Sequence, residues 1–96
     1  MDIIKEKFKN ESIVYKDSIV LYNSVVAQDV VRACLQHDKE IYRLEAFLIR
    51  EKGGIQPCME FSRIYEGVAP KTAANQAIEF LKEMIEQPYL FEIMYA

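Results

Sequence analysis

Two apolar segments joined by a pair of glycines constrain the fold more than any other feature of this sequence. The segments are residues 40–50 and 57–65, and Gly53 and Gly54 lie between them. In both segments apolar and polar residues alternate, which is typical of half-buried strands. Consecutive glycines favour a type I′ turn, because both central residues of that turn need a positive φ. The sequence therefore predicts a β-hairpin that turns at Gly53 and Gly54.

This turn determines which residues are expected to face each other across the hairpin. On one face the predicted pairs are Leu48–Met59, Ala46–Phe61, Leu44–Arg63 and Tyr42–Tyr65. On the other they are Ile49–Cys58, Phe47–Glu60, Glu45–Ser62, Arg43–Ile64 and Ile41–Glu66. A slip of one residue would move Glu60 and Ser62 onto the face of Leu48 and Ala46, so the pattern specifies the register.

Two other segments have the three- and four-residue spacing of apolar residues that is typical of amphipathic helices. The first follows the N-cap residues Asn23 and Ser24 and ends near His37 and Asp38. Its apolar positions are Val26, Ala27, Val30, Val31, Cys34 and Leu35. The second begins at Pro70, which suits the first turn of a helix, and ends before Pro88. Its apolar face is Ala74, Ala77, Ile78, Leu81, Met84 and Ile85.

Short apolar runs at residues 18–22 and 89–95 predict two more strands. Residues 12–15 resemble a strand fragment, and Lys16 and Asp17 a turn. Residues 2–9 are expected to form a short helix with Ile4 and Phe8 on one stripe.

The order of these elements predicts a single α+β domain over residues 1–96 with a ferredoxin-like βαββαβ fold. Right-handed crossovers place both helices on one face of an antiparallel sheet. The first and third strands are expected at its centre. The sheet face away from the helices, hereafter the open face, stays uncovered unless a partner or the N-terminal segment with Ile4 and Phe8 packs on it.

Charge and cysteine content narrow the class of protein. The net charge is −3, and residues 57–96 carry most of the glutamates, which argues against a nucleic-acid partner. The acidic half is compatible with a basic protein partner or with solubility alone. The 2 cysteines form no disulfide framework, and no apolar run reaches about 20 residues. The first residues alternate Lys and Glu without an apolar h-region, so we expect no signal peptide. We therefore expect a cytoplasmic protein that does not bind a membrane.

No residue pattern predicts catalysis, a cofactor or a metal. Cys34 and His37 are three residues apart on one helix, but a metal would need further ligands from Cys58 or an acid. Glu45 and Glu60 would be diagonal neighbours on the open face, where solvation gives no reason for shifted pKa values. A buried cysteine and a histidine near a helix C-terminus explain the spacing of Cys34 and His37 without a metal, and we favour that explanation. An enzyme is therefore the least favoured class.

The open face itself is the predicted functional surface. The hairpin contributes Ile41, Arg43, Glu45, Phe47 and Ile49 to it, beside Cys58, Glu60, Ser62, Ile64 and Glu66. An apolar patch rimmed by charge often marks an interaction site. We expect Phe47 to be an apolar anchor for a partner, with Glu45, Glu60, Ser62 and Glu66 as the surrounding polar contacts.

The hairpin also resembles a family of bacterial proteins. Tyr42-x-Leu44-Glu45-Ala46-Phe47, Ile55-Gln56-Pro57 and Glu60-x-Ser62-x-x-Tyr65 resemble the centre of small α+β immunity proteins from polymorphic-toxin and contact-dependent inhibition systems. Those proteins often carry Trp in the first arm, where this chain has Phe47. The resemblance implies a non-enzymatic cytoplasmic inhibitor that binds one cognate toxin and blocks its active site. An acidic inhibitor would suit a basic nuclease toxin.

A different class of function remains open. A stand-alone ferredoxin-like module could bind a small effector, or form a homodimer through its sheet. A pocket lined by converging polar groups would favour the effector-binding module, and a toxin gene beside this one would favour the immunity protein.

Overall fold

Both long helices form where their apolar spacing predicts them. In the computed structural model, which describes residues 2–16 and 18–96, α1 spans Ile3–Lys7, α2 spans Ser24–Gln36 and α3 spans Pro70–Glu83. Asn23 is the N-cap of α2, since its side-chain oxygen accepts a hydrogen bond from the Val26 N–H at 2.8 Å. Ile85 was expected on the apolar face of α3, but it is 50% exposed because the helix ends at Glu83.

Six strands accompany the helices, and together they make an α+β fold with antiparallel pairing. The strands are β1 (Ile13–Tyr15), β2 (Ile19–Leu21), β3 (Ile41–Ile49), β4 (Ile55–Pro57), β5 (Arg63–Ile64) and β6 (Leu90–Tyr95). The turn predicted at Lys16 and Asp17 lies partly outside the described residues, because Asp17 is not among them. Within the described ranges, no helix is long and apolar enough to cross a membrane.

Strand β3 lies at the centre of the sheet and is paired along both edges. On one edge it pairs with β6, from Ile41 opposite Tyr95 to Phe47 opposite Leu90. On the other edge it pairs first with β4 and then with β5. Strand β6 in turn meets β2 at a bridge between Tyr22 and Phe91, and β2 pairs with β1. The resulting order is β4 and β5, then β3, β6, β2 and β1.

This order differs from the ferredoxin-like arrangement, which is not confirmed. The sequence placed residues 18–22 and 57–65 at the centre, whereas β3 and β6 occupy it. These are the longest strands, with 9 and 6 residues, while β2 has 3. A central strand bonds along both edges, so the longest strands gain the most hydrogen bonds there.

The hairpin turns through a longer loop than the glycine pair predicts. Ile49 faces Ile55, and the Arg50 N–H donates to the Gly54 carbonyl at 2.8 Å, which leaves residues 51–53 as the loop. Gly53 has φ 83°, but Gly54 is not among the residues with a positive φ. One left-handed glycine at the end of a three-residue loop is a common hairpin connection.

The second arm of the hairpin is interrupted rather than continuous. A short 3₁₀ helix, Met59–Phe61, separates β4 from β5 and shifts the register between them. The predicted pairs Arg43–Ile64 and Leu44–Arg63 are confirmed. Predicted pairs nearer the turn are wrong, because Phe47 faces Pro57 and Leu48 faces Gln56.

The main core lies between the helices and one face of the sheet. Leu44, Ala46 and Phe91 of the sheet pack in one buried cluster with residues of α2 and α3. Ile4 and Phe8 belong to this same cluster, and the Phe8 and Tyr22 rings meet edge to face at 6.4 Å. The N-terminal segment therefore packs on the helix side, and its Ile4 and Phe8 do not cover the open face.

Candidate interaction surface on the open face

The register identifies the residues of the open face. Leu44 and Ala46 point to the core, so their neighbours Arg43, Glu45 and Phe47 point the other way. Directly opposite them on β6 are Met94, Glu92 and Leu90, and Ile64 lies opposite Arg43 on β5. Ile41 was expected here, but a β-bulge between Ile41 and Arg43 turns it into the core, where it is 4% exposed.

Two carboxylates face each other on this surface. Glu45 and Glu92 are cross-strand partners on β3 and β6. Arg43 Nη1 donates to Glu45 Oε1 at 3.3 Å, while the buried Arg43 Nε has no hydrogen-bond partner among the described residues. Burial raises the pKa of Glu92 above its usual value, and the Glu45 charge raises it further, against the opposing effect of Lys5. Glu92 is therefore held beside a like charge.

A groove beside Glu45 has exposed apolar walls. It encloses about 190 Å³ and is lined by Arg43, Glu45, Met59, Ser62 and Ile64. Met59 is 77% exposed and Ile64 is 62% exposed. Side chains this apolar and this accessible, next to charged groups, are the composition expected of an interaction surface.

The structure brings together only part of the predicted site. Glu45 and Ser62 line the groove, whereas Glu60 lies in the 3₁₀ helix and Glu66 in the turn after β5, both exposed. Glu66 lies beyond the pairs of β3 with β5, which end at Arg43 opposite Ile64, and Ile41 belongs to the core. The prediction that Phe47 is accessible is wrong, because Phe47 is 5% exposed.

Ser62 has a structural role that the sequence pattern did not reveal. Its hydroxyl accepts a hydrogen bond from the Ala46 N–H at 3.1 Å and donates one to the Cys58 carbonyl at 3.2 Å. These bonds attach the 3₁₀ helix to β3 where the ladder is interrupted. The hydroxyl is therefore already occupied within the domain.

A second concavity lies between β2 and β6, which meet at the bridge from Tyr22 to Phe91. It encloses about 170 Å³, and its polar lining includes Asp2, Lys5, Tyr42, Glu92 and Tyr95. The Tyr95 hydroxyl lies 2.7 Å from both Asp2 carboxylate oxygens. Burial alone would raise the pKa of Asp2, but hydrogen bonds from Tyr95 and two backbone N–H groups outweigh it and lower that pKa.

The cysteines and the histidine do not converge. Cys34 is 1% exposed, and burial together with the Asp2 charge raises its pKa to about 12. His37 caps the C-terminus of α2 and is exposed, and Cys58 is a half-buried free thiol. In residues 2–16 and 18–96, no group of three or more His, Cys, Asp or Glu side chains is arranged to hold a metal ion.

The sequence prediction missed four members of this surface: Leu90, Glu92, Met94 and Met59. Glu92 and Met94 alternate with the buried Phe91 and Ile93, so their orientation could be predicted from the period-2 pattern. The positions of Glu92 and Met94 beside Glu45 and Arg43 depend on the pairing of β6 with β3, which the alternation of residues cannot predict.

Comparisons with known proteins assign no family to this geometry. No protein-family model matches the chain, and no curated protein or solved structure matches it either. The resemblance to immunity proteins therefore depends on the hairpin motifs alone.

Proposed function

We propose that this protein is a non-enzymatic immunity protein that binds a cognate toxin through its open face. The observation that carries the proposal is the accessible part of the open face, where exposed Met59 and Ile64 line a groove with Glu45, whose cross-strand partner is Glu92. The hairpin motifs that resemble immunity proteins contribute to this same surface.

The chemistry of the open face supports binding rather than catalysis. Its carboxylates lie on a sheet surface, Glu45 beside the groove, and the hydroxyl of Ser62 is bonded within the domain. Interfaces combine an apolar centre with a polar rim, which Met59, Ile64 and the two glutamates provide. The net charge of −3 favours a basic partner such as a nuclease toxin, because opposite charge accelerates association.

We further propose that the protein acts in the cytoplasm. Both cysteines are free, and the buried Cys34 thiol belongs to the core. Reduced thiols are the normal state of cysteines in that compartment.

The test is calorimetric titration with the product of the neighbouring gene. Ile64→Asp should weaken binding at least about tenfold, because it puts a charge into the apolar part of the interface. Val25→Asp is the matched control, since Val25 is 54% exposed on α2, away from the open face. If the neighbouring-gene product binds the parent and a folded Ile64→Asp variant with equal affinity, the open face is not the binding surface.

The concavity between β2 and β6 favours a second candidate, a module that binds a small effector. Asp2, Lys5 and Glu92 converge there with tyrosine hydroxyls. A fragment screen followed by amide chemical shifts would identify such a ligand. Shifts grouped at Val20, Tyr42 and Glu92 would favour the effector module, and an absence of shifts there would eliminate it.

A further inference from the structure

The carboxylate pair on the open face is an unfavourable arrangement for the isolated protein. Glu45 and Glu92 are direct cross-strand partners, and like charges in that position destabilise a sheet. Both residues are half-buried, and the Glu45 side chain is 24% exposed, so water screens them less than it would on a helix surface.

The cations near this pair compensate it only in part. Lys5 shares the concavity between β2 and β6 with Glu92, on the side away from Glu45 and the groove. Arg43 bonds to Glu45 with one Nη1 contact at 3.3 Å. Arg63 is turned to the helix side, where its guanidinium lies 4.2 Å from the Phe80 ring centroid and bonds to the Glu60 and Ser62 carbonyls. Ionised carboxylates each accept several hydrogen bonds, so Glu45 and Glu92 retain free acceptor positions.

The apolar neighbourhood restricts what can supply the missing cation. The groove of about 190 Å³ next to Glu45 is walled by Met59 and Ile64, which suits a side chain with an apolar stem and a cationic head. A second copy of this chain would bring its own two glutamates against these carboxylates. Nucleic acid would bring phosphates, which the same charges repel. A basic protein segment is the occupant that complements both the charge and the apolar walls.

We propose that the open face captures an arginine-rich segment of a protein partner, with one guanidinium between Glu45 and Glu92. Apolar residues of that segment pack on Met59 and Ile64. Arginine fits better than lysine, because its planar fork can donate to both carboxylates while its stem lies on the apolar wall. This inference rests on the proposed function and specifies the chemistry of the partner's contact.

The probe is a synthetic decapeptide of alternating arginine and leucine, titrated into ¹⁵N-labelled protein. The matched probe replaces arginine by citrulline, which keeps the shape of the head group and removes its charge. The arginine peptide should shift the amides of Arg43, Glu45 and Glu92, and the citrulline peptide should not. Glu92→Gln and Glu45→Gln should each weaken binding about three- to tenfold, as partly exposed charge contacts do.

Glu79→Gln is the control, because Glu79 is an exposed carboxylate on α3 that the inference does not use. Equal binding of both peptides would overturn the inference, and so would shifts confined to α2 and α3. A dimer formed through the open face, detected by sedimentation, would also overturn it. If the neighbouring-gene product binds the parent and not Ile64→Asp while the arginine peptide fails, the proposed function stands and only the cationic contact is wrong.

Discussion

Phe47→Ala tests whether the central strand has a buried side chain on the face that was expected to be accessible. Phe47 is 5% exposed and lies outside the helix-side cluster, opposite Leu90 and Pro57. A buried phenylalanine hides roughly 150–250 Å², which at about 25 cal/mol per Å² corresponds to about 4–6 kcal/mol. The retained Cβ and partial collapse recover some of this, so we expect a loss of about 3–5 kcal/mol.

Urea denaturation followed by far-UV circular dichroism measures this loss. A domain of this size has a total stability of about 5–15 kcal/mol, so the variant should unfold at a much lower urea concentration. Ile49→Ala is the matched control, because Ile49 lies two residues further along β3 and is 46% exposed. It should cost no more than about 1 kcal/mol. A Phe47→Ala midpoint equal to that of Ile49→Ala would refute the assignment of Phe47 as a packing residue.

Three further predictions concern the core, the hairpin loop and the carboxylate pair. Leu81→Ala should cost about 2–5 kcal/mol, because Leu81 is 0% exposed; an unchanged denaturation midpoint would contradict the packing of α3. Gly53→Ala should cost about 1–2 kcal/mol, whereas Gly54→Ala should change the midpoint little, because only Gly53 has a positive φ and neither added Cβ would meet an atom within 4 Å. The folded state raises the pKa of Glu92, so stability should fall as pH rises through the window above its unfolded pKa. Glu92→Gln should flatten that fall and exceed the parent's stability near neutral pH, and parallel pH profiles for the two proteins would contradict this.

Helices were predictable because their signals are local. Asn23 supplies a capping oxygen, and Pro70 fits the first turn of α3, so each start follows from a few adjacent residues. The end of α3 was less predictable. Pro88 marks the last position a helix could reach, but the chain leaves helical geometry at Glu83, five residues earlier in sequence.

The interruption in the second arm of the hairpin could not be predicted from the alternation of apolar and polar residues. Residues 57–65 fit a continuous strand as well as they fit a strand, a 3₁₀ helix and a second strand. In the structure the Ser62 hydroxyl accepts a hydrogen bond from the Ala46 N–H across the sheet, where the arm is interrupted. A tertiary hydrogen bond of this kind has no counterpart in the period of the sequence.

Strand order had the largest effect on the candidate site. The alternation of residues along the strand predicts Glu45 on the open face, and the structure has it there. Its acidic neighbour was expected to be Glu60 of the second arm, but it is Glu92, because β6 pairs along the edge of β3 that the predicted strand order left free. Local patterns fit several strand orders equally well, and the competition among long ladders decides between them.

The 3₁₀ helix between β4 and β5 also affects how this protein resists aggregation. An outer strand with a continuous row of free N–H and C=O groups is a template for uncontrolled pairing with other chains. Here the edge consists of two short strands, β4 with 3 residues and β5 with 2. Strand β4 ends at Pro57, which has no N–H to donate. Fibre-like growth from this edge is therefore disfavoured, and the molecule can display exposed apolar side chains beside it without offering the backbone of this edge to a neighbour.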